Sequence, residues 1–122
     1  MQFIFSKKND SRKQQILLKT TAYTDFLKAV AGVSITQRSR DTVKELEYKT
    51  LLIDAKSRIA VYGSDLVIKK LADFYRIGPI LDNSESCRAF ILLVSEMRKE
   101  NKRCDKTELN DISQLLLSKD IE

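Results

Sequence analysis

Histidine and tryptophan are absent from the chain, proline occurs once, at Pro79, and glycine only three times, at positions 32, 63 and 78. Without histidine the commonest general base and the commonest metal ligand are both missing. With so little proline and glycine, long stretches have nothing to interrupt a helix. Two cysteines are too few for a disulfide framework, and they offer no Cys-x-x-Cys spacing for a metal. Cys87 and Cys104 lie a helix length apart, beyond the ~7 Å reach of a bridge. Both read as reduced thiols of a cytoplasmic protein. No apolar run approaches the ~20 residues of a membrane span. The tip Phe3-Ile4-Phe5 is too short even for a signal-peptide core. The three glycines stand too far apart to cradle a phosphate. No cofactor and no metal are expected.

What is present is charge and apolar periodicity. The 122 residues carry 22 Lys and Arg against 17 Asp and Glu, a formal charge of +5. Residues 1–61 hold 12 basic and 6 acidic side chains, and residues 62–122 hold 10 and 11, so the first half is at +6 and the second at −1. Length and a 43% hydrophobic content suit one helical domain over 1–122, with 1–9 expected as a frayed start.

Five helical segments follow from spacing and caps. The first is expected from Asp10 or Ser11 to Ile35, with Ile16, Tyr23, Leu27 and Val30 on its stripe, Ala22, Phe26, Ala29 and Val33 widening it, and Gly32 as its weak point. The polar run Thr36 to Asp41 reads as a connection. The second runs to Tyr62 with Leu52, Ala55, Ile59 and Tyr62 inward, and with favourable i,i+4 pairs Glu45–Lys49 and Asp54–Arg58. Gly63 is expected at positive φ and Ser64 as the next N-cap, making a tight corner. The third segment carries Val67, Ile68, Leu71, Phe74 and Tyr75 on one face and stops at Gly78-Pro79. The fourth starts from Asn83 or Ser84, and its stretch Ala89 to Val94 is apolar all round, as in an enclosed helix. Asp105 and Glu108 have capping-box spacing before a short fifth helix with Leu109, Ile112, Leu115 and Leu116 inward. The expected fold is all-α: an antiparallel four-helix bundle with a short fifth C-terminal helix.

Two stretches, Tyr23-Thr24-Asp25-Phe26-Leu27 and Arg58-Ile59-Ala60-Val61-Tyr62-Gly63-Ser64-Asp65-Leu66-Val67, together resemble a loose family of uncharacterised small bacterial helical proteins. The resemblance covers residues 12–100 and its motifs are structural. It implies no activity. Many such relatives look as if a membrane anchor precedes a basic stretch. This chain has the basic stretch (Lys7, Lys8, Arg12, Lys13) and is expected to begin too late to include an anchor.

Chemistry is weighed against packing at each candidate. The cysteines and serines lack a histidine partner, and Glu45/Glu47 and Asp105/Glu108 read as solvated faces and caps. No catalysis is therefore expected. Arg58 and Tyr62 are the sharpest interaction candidates; the plainer reading pairs Arg58 with Asp54. Residues 72–94 do not make a helix-turn-helix, because the would-be recognition helix is far too apolar. Specific nucleic-acid binding is not expected. The clusters Lys7, Lys8, Arg12 and Lys13, and Arg38 with Arg40, suit weak contact with polyanions or an anionic membrane surface. The favoured function is a non-catalytic interaction module, a homodimer or the partner of another protein. Its aromatic area at Tyr23, Tyr48, Phe74 and Tyr75 is more than one small bundle encloses.

Overall fold

A computed structural model describes residues 2–100, 102 and 104–122, with side chains from Ser11 onward. It is all-α among the described residues: α1 (Gln2–Ser39), α2 (Thr42–Tyr62), α3 (Asp65–Ile77), α4 (Ser84–Lys99) and α5 (Leu109–Leu117). The chain divides into two compact units, Met1–Gly63 and Ser64–Glu122. The division falls at the Gly63-Ser64 corner that the capping signals mark.

The first unit is an antiparallel hairpin of α1 and α2. Helix α1 runs through the expected connection because Thr36 hides its polarity. Its hydroxyl donates to the carbonyl of Gly32 at 2.8 Å while the residue is only 4% exposed. The turn is then just Arg40 and Asp41. Arg40 takes the left-handed conformation, φ 58°, and the Asp41 carboxylate accepts from the Lys44 N–H at 3.1 Å to cap α2. The inward side of α1 falls on the expected stripe, centred on the residues that widen it. Ala22, Tyr23, Phe26 and Ala29 are buried, whereas Ile16 is half exposed. Tyr48, Leu52, Ala55 and Ile59 form the inward line of α2, with Ala55 and Ile59 fully buried, whereas Tyr62, expected on that line, is exposed at the end of the helix. Gly32 neither ends the helix nor idles within it. A Cβ there would penetrate the Tyr48 ring, so the glycine is what lets α2 lie so close.

Gly63 does not take positive φ. It is extended at φ −68°, ψ 154°, and its N–H closes on the Ile59 carbonyl at 2.7 Å. A side chain at this position would meet that same carbonyl. Close approach, not handedness, calls for glycine here.

The second unit begins at Ser64, whose hydroxyl accepts from the Val67 N–H at 3.2 Å, as the cap reading expects. Val67, Leu71 and Phe74 pack inward, and the Phe74 ring lies 5.6 Å from both Tyr75 and Phe90. Gly78 takes φ 124° and ends α3. Asn83 caps α4 by accepting from Ser86 N–H at 2.8 Å, and Ser86 donates its hydroxyl proton back to the Gly78 carbonyl at 3.0 Å. Helix α4 is the enclosed one of this unit, with Cys87, Ala89, Phe90, Ile91, Leu93, Val94 and Met97 all buried. The capping box does not form. Glu108 is itself the N-cap of α5 and makes no side-chain cap bond. Asp105 is held instead by Arg98 at 3.0 and 3.2 Å and by the Thr107 N–H at 3.1 Å. Ile112 is buried in α5, but Leu115 and Leu116 are exposed. The C-terminal residues fold back onto α5 through Asn110, which accepts from the N–H groups of Ile121 and Glu122, and through Ser113, which donates to Lys119 at 2.6 Å.

Candidate interaction surface

Helix α2 carries a second apolar line, almost opposite the first. Val43, Leu46, Thr50, Ile53, Ser57 and Ala60 recur at alternating steps of three and four, the spacing that keeps a seam on one side of a helix. All six are exposed. Val43, Leu46 and Ile53 are 69, 67 and 63% exposed, and Val61 at the edge reaches 75%. The two hydroxyls in the line present little polarity outward. Thr50 donates to the Leu46 carbonyl at 2.9 Å and Ser57 to the Ile53 carbonyl at 2.8 Å, both within the helix. The result is a strip about two and a half heptads long, roughly 27 Å by helical rise, whose surface is methyl and methylene. Scattered exposed aliphatics are ordinary; a periodic line of them is not. The same spacing is visible in the sequence, where the inward stripe of α2 draws attention away from it.

The candidates read from the sequence do not converge on one site. Arg58 is structural. Its guanidinium donates to Asp25 on α1 at 2.6 Å and to Asp54 at 3.0–3.1 Å, tying the hairpin together. The bond to Asp25, foremost, outweighs the opposing effect of desolvation and, together with the Asp54 charge, holds the guanidinium even more firmly protonated than usual. Tyr62 and Arg12 do meet, in an open groove of about 400 Å³ with Gln15, Ile16, Lys19 and Val61. Lys13 is exposed on α1 nearby in sequence. Arg38 and Arg40 sit at the opposite end of the hairpin, where Arg38 donates to the Ser34 carbonyl at 3.4 Å. From Arg12 to Arg38 is about 39 Å along one helix, so these cations make no single patch. Lys7 and Lys8 lie outside the residues whose side chains are described.

A shallower groove in the second unit, about 280 Å³, is lined by Lys70, Asp73, Arg76, Ile77, Ala89 and Leu92. Asp73 there is paired with both Lys69 and Arg76 at 2.8 Å. Those bonds, Lys69 foremost, hold its carboxyl below the usual range. Asp73 and Arg76 of its lining are thus engaged with each other. Among the described residues no three His, Cys, Asp or Glu side chains gather as a metal site would need, and no helix is long and apolar enough to cross a membrane. No protein-family profile matches the chain, and no curated protein or solved structure gives a significant match.

Proposed function

We propose that the protein is a non-catalytic helical interaction module that docks another helix on the outer face of α2. One observation carries this reading: the periodic apolar line Val43-Leu46-Thr50-Ile53-Ser57-Ala60, exposed and with its hydroxyls turned inward. Burying a Val, Leu or Ile side chain yields about 1.5–3 kcal/mol each, which is the driving force such a face supplies. The experiment is size exclusion with light scattering on the wild type and on Ile53→Asp, at low and high salt. Vesicles of anionic lipid and duplex DNA are run in parallel. Association that persists at high salt and is lost in Ile53→Asp supports the reading, because apolar burial is not screened. A monomer that binds DNA or vesicles tightly at high salt refutes it.

The antiparallel four-helix bundle expected from the sequence is the competing proposal for the same face, with the α3–α4 hairpin as its cover. It gives a monomer in which Ile53→Asp costs stability and leaves the mass unchanged. A second reading, weak binding to an anionic membrane surface, draws on Arg12, Lys13 and Lys19 beside Ile16 and Leu17, which are 51 and 64% exposed. The vesicle arm tests it. Specific nucleic-acid recognition is not part of the proposal, since the cations are spread along the hairpin.

A further inference from the structure

The charges that border the outer line of α2 decide what fits it. With Val43, Thr50 and Ser57 at the a positions and Leu46, Ile53 and Ala60 at d, the e positions are Glu47, Asp54 and Val61, and the g positions are Thr42, Lys49 and Lys56. One border is therefore acidic and the other basic. The Lys49 and Asp54 side chains are 50 and 60% exposed. Each also has a partner on its own helix, Glu45 at 3.1 Å and Arg58 at 3.0 Å, a pairing that a contact across the line has to share or replace.

Resting on the reading of this face as a docking surface, we propose that its occupant is a second copy of this chain, paired through α2 in parallel and in register. The orientation follows from the borders. In a parallel pair each g residue faces the e residue of the following heptad on the other helix. Lys49 then meets Asp54 of the second copy, and two-fold symmetry makes that pair twice. Lys56 faces Val61, and Thr42 faces Glu47, neither of which opposes. An antiparallel pair instead sets g against g and e against e. Lys49 then meets Lys56, and Glu47 meets Asp54, so every charged contact along both borders is repulsive. Only the first heptad, Val43 at a with Leu46 at d, has the combination that favours two strands, and Ile53 at d does not add to it, so the charged borders carry the argument. Ser57 and Ala60 let the two helices close toward their C-terminal ends.

The test is sedimentation equilibrium on the full chain, with Cys104→Ser as the background so that the exposed native thiol does not cross-link. Lys49→Glu and Asp54→Lys should each raise the dimer dissociation constant about tenfold, since two symmetric contacts change sign at once. The combined Lys49→Glu/Asp54→Lys protein should return to within about threefold of the starting value. Helical content measured by circular dichroism guards against a folding defect. A second readout is independent of charge. Ser57→Cys, at an a position, faces its own copy across the axis in the parallel pair and should form an intermolecular disulfide on mild oxidation. A dimer that tightens on Lys49→Glu and forms no disulfide through position 57 overturns the parallel pairing. The docking reading then still stands if Ile53→Asp dissolves that dimer. A chain that stays monomeric at every concentration overturns self-pairing. A dimer indifferent to Ile53→Asp overturns both proposals.

Discussion

Replacing Gly32 by alanine tests whether packing or propensity governs the hairpin. Inside a 38-residue helix, two turns from its end, Gly→Ala gains about 1 kcal/mol from propensity alone. The added Cβ, however, falls within the Tyr48 ring, against its Cγ, Cδ1 and Cε1 atoms. Cγ is the root of the ring, so it cannot move away without the whole side chain or the helix moving. Inserting one carbon into such a contact costs about 1–3 kcal/mol. The net expectation is a loss near 1 kcal/mol, which speeds amide exchange in peptides covering residues 22–36 about fivefold. Exchange is the appropriate assay because the chain has two compact units and a single unfolding curve would mix them. The control reverses the sign. In a Tyr48→Ala background the ring is gone, and Gly32→Ala should slow exchange by a similar factor, a coupling of about 2 kcal/mol between the two positions. Increased protection from Gly32→Ala alone, with Tyr48 present, would refute the close-approach account.

Three further outcomes are expected. Ile91→Ala, at a fully buried position of α4, should cost about 2–5 kcal/mol in the second unit, read as faster exchange of its most protected amides. Cys104 should react at once with a thiol reagent in the native protein, whereas Cys87, 1% exposed, should react only on unfolding; rapid labelling of both would contradict that burial. The Asp105 carboxyl is held well below the usual range, first by Arg98 and then by the Thr107 hydroxyl and N–H. Because its folded pKa lies below the unfolded one near ~3.9, its stabilisation is complete above that value and fades as pH falls through the folded one. Segment 98–112 should therefore hold its exchange protection down to about pH 4 and lose it below, and Asp105→Asn should flatten that acid-side dependence.

Local signals were legible where one residue and its near neighbours determine the outcome. Ser64 and Asn83 cap where their side chains predict, and Glu45–Lys49 and Asp54–Arg58 pair in the i,i+4 sense. The misreadings arise where a residue's role depends on which partner it takes. Gly32 looks like a weak point until Tyr48 of the other helix is opposite it, and Thr36 looks like a loop until its hydroxyl turns back onto the Gly32 carbonyl of its own helix. Asp105 fits a capping box by spacing, but Arg98, seven residues earlier, takes its carboxylate first. Arg58 illustrates the same limit from the other side. Its pairing with Asp54 is readable in sequence, while the shorter bond to Asp25 joins residues 33 apart and needs the hairpin.

Helix α2 also shows why its outer face escapes a search for one amphipathic stripe. Its inward line steps 48, 52, 55, 59 and its outward line steps 43, 46, 50, 53, 57, 60, so apolar residues occupy two opposite sides. A helix built this way has little net amphipathicity, and it resembles a weak surface helix when only one stripe is sought. A hairpin can cover one of the two lines and no more. The charges beside the outer line are acidic at 47 and 54 and basic at 49 and 56. Within the chain, Lys49 pairs with Glu45 and Asp54 with Arg58, and the same segregation by sign gains a second consequence when another helix lies along the outer line. Of the two directions that helix can take, a copy of α2 running the same way is the one in which every charged border contact is attractive or neutral.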